Sequence, residues 1–68
     1  IMVIANRIRE LREDKKLSQD SLAKLTGLSS SSIARWELGQ SEPTASAIAV
    51  LCDFFGVTSD YLLGRTDY

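Results

Sequence analysis

The run from Ser29 to Glu37, Ser-Ser-Ser-Ser-Ile-Ala-Arg-Trp-Glu, carries two kinds of side chain at helical spacing. Ile33 and Trp36, three apart, anchor one side of a helix to a core. Ser30, Ser31, Ala34 and Arg35 make up the other side, which is small and polar with one guanidinium. The chemistry open to such a surface is hydrogen bonding to nucleobase edges. A guanidinium donates two bonds to guanine O6 and N7, worth about 1–3 kcal/mol of discrimination. A serine hydroxyl donates or accepts, so Ser30 and Ser31 discriminate weakly, while Ala34 is small enough to meet a thymine methyl. Each residue also has a plainer use: Arg35 as a solvated or phosphate-only arginine, Ser30 and Ser31 as capping groups, Ala34 as a spacer. A helix that hides a few large residues and shows short donors plus one arginine fits a DNA major groove.

The elements that must position this helix are legible on both sides of it. Ser29 is its expected N-cap, and it runs from about Ser30 to Leu38, stopping at Gly39. A preceding helix, about Gln19 to Leu25, starts after the cap residue Ser18, with Leu22, Ala23 and Leu25 as its apolar side. Gly27 breaks it, because glycine enters a left-handed turn without steric cost. Ile4, Ile8 and Leu11 recur at spacings of four and three, which predicts a first helix from about Val3 to Lys15. Arg12 lies at the edge of that stripe, and Lys15 and Lys16 suit the negative end of the helix dipole. After the polar connection Gly39-Gln-Ser-Glu-Pro43, Thr44 caps a fourth helix, Ala45 to Phe55, with Ile48, Leu51, Cys52 and Phe55 inward and Gly56 at its end. Thr58 caps a short fifth helix, Ser59 to Leu63, with Leu62 and Leu63 sealing the core. The expectation is an all-α fold, a compact bundle of five short helices containing a helix-turn-helix, in one domain spanning residues 1–68. Its folded core is about 3–64, and 65–68 is a tail or the start of a linker. Ile1 precedes Met2, so Met2 is the expected natural start.

Composition narrows the function further. A 68-residue chain buries only about 60% of its unfolded surface, and 44% apolar residues suffice for that. With no histidine and one cysteine, Cys52, neither a zinc site nor an internal disulfide is expected. Cys52 reads as a buried small apolar residue, consistent with a reducing cytoplasm. No cofactor, metal or small-molecule site is expected, and no enzyme: no nucleophile has a base beside it, and Glu13-Asp14 sits on a charged helix end. No signal peptide is visible, and no stretch approaches the roughly 20 apolar residues that cross a membrane. The net charge of −1 is unevenly spread: residues 1–35 carry +3 and residues 36–68 carry −4. The half with the serine-rich helix is the basic half, though its footprint is weak.

Leu17-Ser-Gln19, Leu22-Ala23, Gly27-Leu28-Ser29, Ile33-Ala-Arg-Trp-Glu37, Pro43 and Tyr61-Leu-Leu-Gly64 together resemble the phage lambda-repressor-like (Xre/Cro-type) helix-turn-helix family. The resemblance implies sequence-specific binding of double-stranded DNA by a prokaryotic or phage regulator, most simply a repressor. It implies that Ser30, Ser31, Ala34 and Arg35 are the base-reading positions. It further implies that Gln19 bonds a phosphate and braces the recognition helix. A helix N-terminus attracts an anion, while simple capping is the alternative. Arg7 and Ser41 are further phosphate candidates, and the resemblance implies an ion pair between Arg12 and Glu37.

The chain departs from the family pattern at Leu38 and Gln40, where polar and lysine side chains commonly meet phosphates, and Glu42 adds negative charge nearby. A monomer is therefore expected to bind poorly, and a homodimer on a pseudo-palindromic operator is the expected remedy. Family dimers often pair through the fifth helix and its preceding loop, here Val57, Ser59 and Tyr61, with Phe54 as a neighbour. The alternative to a DNA-binding regulator is a protein-interaction module or an antitoxin-type regulator with weak DNA affinity.

Overall fold

The structure, a computed structural model, describes residues 2–68; Ile1, the residue ahead of the expected start, lies outside them. Four of its five helix starts are set by one device. Ser18, Ser29, Thr44 and Thr58 each hold an extended backbone, and each side-chain oxygen accepts from the N–H three residues on. Such a cap contributes about 1 kcal/mol. The helices that follow are α2 (Gln19–Thr26), α3 (Ser30–Glu37), α4 (Ala45–Phe55) and α5 (Ser59–Leu62), after α1 (Met2–Asp14). No strand occurs among the described residues, and no described helix is long and apolar enough to cross a membrane.

The helix stops are equally local. Gly27, at φ +75°, turns the chain between α2 and α3, and its N–H bonds the Ala23 carbonyl. The corner is tightened by the Thr26 hydroxyl, which donates to the Leu22 carbonyl at 2.7 Å. α1 ends differently, on Lys16 at φ +57°. There Lys16 N–H donates to Glu13 O at 2.9 Å and Leu17 N–H to Arg12 O at 3.1 Å. This is the paired bonding that closes a helix over a left-handed residue, a place normally given to glycine.

Each helix sends one or two side chains to a shared centre: Ile4 and Ile8 from α1, Leu22 and Ala23 from α2, Ile33 and Trp36 from α3, Ala47 and Leu51 from α4, and Leu62 from α5. α3 packs against both α1 and α2, and α5 against α4 and α1. The helix that presents the serines is thus held from behind by two others.

Three expectations about the core are corrected. Leu25 is 60% exposed. The buried face of α2 turns through Leu22, Ala23 and the partly buried Thr26, which leaves Leu25 roughly 160° round the helix from Ala23. Leu63 is 37% exposed, because α5 ends at Leu62, which takes the inward place. Cys52, expected to be buried, is only partly so, though it packs against the core with the inward Ile48 and Phe55; burial pushes its thiol up from the ordinary pKa, with the charge of Asp53 adding to it.

Candidate nucleic-acid interface

α3 divides cleanly around its axis. Ile33, Trp36 and Glu37 are buried, while Ser31 and Arg35 are exposed and Ala34 is half-buried. The Arg35 guanidinium makes no ion pair with any described residue. Ser31 Oγ lies 2.9 Å from Ser29 Oγ, which also accepts from the Ser32 N–H at 3.3 Å. Ser30 sits on the flank rather than the centre of this surface: half-buried, it lines an open cleft toward α2 with Asp20, Ala23, Lys24 and Leu28. The structure also adds a residue that the sequence reading counted only as a lost phosphate contact. Leu38, at the C-terminal end of α3, is 66% exposed.

Behind this surface lies a buried polar joint. The Glu37 side chain is only 4% exposed. Its Oε2 accepts from Arg12 Nε at 2.7 Å, and its Oε1 accepts from Arg12 Nη2 at 2.9 Å and from Gln19 Nε2 at 3.1 Å. The paired guanidinium–carboxylate bonds fix orientation as well as distance. The hydrogen bond to Glu37 also raises the Arg12 pKa above its ordinary value, so that end of the pair stays charged. Arg12 is itself held in place. Its Nη1 donates to the Leu17 carbonyl at 2.7 Å, while the Leu17 N–H returns a bond to the Arg12 carbonyl. The joint therefore ties the end of α1, the start of α2 and the end of α3 at one point. Gln19 opens α2 with one amide hydrogen on Glu37, and its amide has a second hydrogen and a carbonyl oxygen to offer outward.

Arg7 has another employment than the expected phosphate contact. Its Nη1 donates to the carbonyls of Tyr61 and of Thr66, the latter at 2.6 Å. Its Nη2 lies 3.6 Å from Asp67 Oδ1, and its guanidinium stacks 4.2 Å over the Tyr61 ring. With its hydrogen-bonding capacity turned inward, Arg7 clamps the segment after α5 onto α1. Ser41 is half-buried in the connection between α3 and α4, with Gln40 and Glu42 exposed on either side.

The residues expected at a dimer contact lie in α5, the loop before it and the end of α4. Val57 and Tyr61 line an apolar groove of about 300 Å³ together with Leu11, Gly56, Thr58 and Tyr68. Ser59 is exposed nearby on α5. Phe54, only partly buried, packs edge-on to Phe55 at 5.2 Å, with the Lys15 ammonium 5.8 Å over its ring.

A family model described as helix-turn-helix matches residues 8–62, from the middle of α1 to the end of α5. The chain belongs to the helix-turn-helix family. It is similar to the HTH-type transcriptional regulator AnsR of Bacillus subtilis, 42% identical over 60 residues, a match covering 88% of this chain and 52% of AnsR. This helix-turn-helix chain thus spans about half the length of that relative. Among solved structures it is similar to the P22 c2 repressor protein of Salmonella phage P22 in complex with synthetic operator 9T. The TM-score is 0.81 at 32% identity, covering 87% of this chain and 89% of that one. It is likewise similar to the restriction-modification controller protein C.AhdI from Aeromonas hydrophila, with a TM-score of 0.80 at 34% identity over 90% of this chain and 92% of that one. The lambda-repressor-like resemblance and the five-helix fold are both shown by these likenesses.

Proposed function

We propose that this chain binds double-stranded DNA in a sequence-specific way as a transcription regulator, with α3 in the major groove. The observation that carries the reading is the exposed stripe of α3, with Arg35 free of ion pairing and Ser31 beside it, on a helix braced from behind by Arg12, Glu37 and Gln19. In such a motif the second helix reaches base edges while the first crosses the backbone. Arg35 is the main base reader, for guanine, and Ser31 and Ala34 contribute weaker contacts, with Ser30 reaching in from the flank. Gln19 and Ser41 meet phosphates, and two copies bind a pseudo-palindromic operator, each placing one α3. The relatives are a transcriptional regulator, an operator-bound repressor and a controller protein, which supports regulation as the outcome of binding.

The test is selection of a randomised duplex library on the purified chain at low salt, followed by sequencing of the retained pool. Enrichment of a two-fold-symmetric site with a guanine that Arg35→Ala no longer selects is the expected outcome. Retention of no duplex, or of duplexes without sequence preference, would overturn the reading and favour a protein-binding role.

A further inference from the structure

Leu38 occupies a position that an ordinary exposed leucine does not. A single apolar side chain in solvent is common on any protein, but this one stands on the stripe that the helix turns outward. At about 100° per residue, Leu38 is seven residues and roughly two turns beyond Ser31, which brings it back to nearly the same bearing. Ala34 and Arg35 fall on either side of that bearing. The burial pattern agrees: Ser31, Arg35 and Leu38 are exposed and Ala34 half-buried, whereas Ile33, Trp36 and Glu37, on the far side, are buried.

The register is maintained to the end of the helix. Leu38 keeps helical angles, φ −84° and ψ −8°, and its N–H bonds the Ala34 carbonyl at 3.1 Å. Gly39, at φ +75°, turns the chain away only after it. Leu38 is therefore the last side chain of the outward stripe. It stands about 10 Å along the axis from Ser31, the span of roughly three base steps.

We propose that Leu38 is a specificity-determining residue that reads a thymine 5-methyl group at the outer end of each half-site. This rests on the DNA-binding reading above. A leucine has no donor or acceptor, so it is blind to the hydrogen-bonding code, and the thymine methyl is the apolar group that a base pair shows in the major groove. At this place Leu38 forgoes a phosphate contact and supplies a base contact. The outward stripe thereby divides its labour, with Arg35 selecting guanine and Leu38 selecting thymine a few steps away.

The experiment uses the site enriched from the randomised library by the wild-type chain. Each thymine of that site is replaced in turn by uracil, which removes only the methyl, and binding is measured for the wild type and for Leu38→Ala. Leu38 lies outside the core, so the variant is expected to melt like the wild type. One uracil per half-site should weaken wild-type binding about fourfold, the change expected for taking a methyl-sized group out of apolar contact. The same uracil should leave Leu38→Ala unaffected. If a site is selected but the uracil penalty persists in Leu38→Ala, or if the variant loses affinity for all duplexes alike, Leu38 rests on the backbone or on nothing, and this proposal falls while the DNA-binding reading stands. If no site is selected, the DNA-binding reading fails and takes this proposal with it.

Discussion

Glu37 illustrates how one side chain decides the geometry around it. A buried carboxylate with three donors is stable only while its donors stay, because removing one partner of such a pair leaves a charge without compensation. Arg12→Ala is therefore expected to cost about 3–5 kcal/mol in urea unfolding. Glu37→Gln should cost less but should also weaken DNA binding, since the amide cannot hold the guanidinium in the same two-bond geometry. Unchanged melting and unchanged DNA affinity in Glu37→Gln would refute a role for this joint in setting the angle of α3. Gln19 adds a link outward from the joint. A phosphate arriving at its free amide hydrogen would meet a side chain already oriented by Glu37, so the contact is prepared before DNA is present.

At the scale of the helices, most of the structure follows from short stretches of chain. The four hydroxyl caps and the glycine turn at Gly27 depend on neighbours within a few residues, which is why their positions were legible in the sequence. The departures are instructive. Leu25 belongs to the apolar side of α2 by residue type, yet the buried arc of α2 is set by its packing against α3 and α4, which spacing within α2 alone does not reveal. The end of α1 is a second case, since no glycine marks it and the left-handed corner falls on Lys16. A side chain in that conformation costs roughly 1–2 kcal/mol. Lys16→Gly should therefore stabilise the fold by about 0.5–1 kcal/mol relative to Lys16→Ala, which removes the same charge and keeps the strain. Equal thermal unfolding of the two variants would refute this.

For the molecule as a whole, the contacts that sequence spacing does not show are the ones that join its two ends. Nothing near Arg7 in the chain points to Tyr61, Thr66 or Asp67, and its charge alone suggested a phosphate. Gly64 belongs to the same closure. At φ +82° it lies so near α1 that an added Cβ would come 2.5 Å from Val3 Cγ1. Arg7→Ala is expected to lower stability by about 1–3 kcal/mol, the scale of hydrogen bonds to a charged group. It should also speed tryptic cleavage after Arg65, and unchanged cleavage would refute the clamp. The helix starts have a different consequence. Ser18, Ser29, Thr44 and Thr58 are hydroxyls, which gain or lose no proton between strong acid and neutrality. Aspartates in the same places would be disarmed by vinegar-strength acid. Acidification therefore spares these four helix starts, and α2 to α5 keep their caps where carboxylate caps would let go.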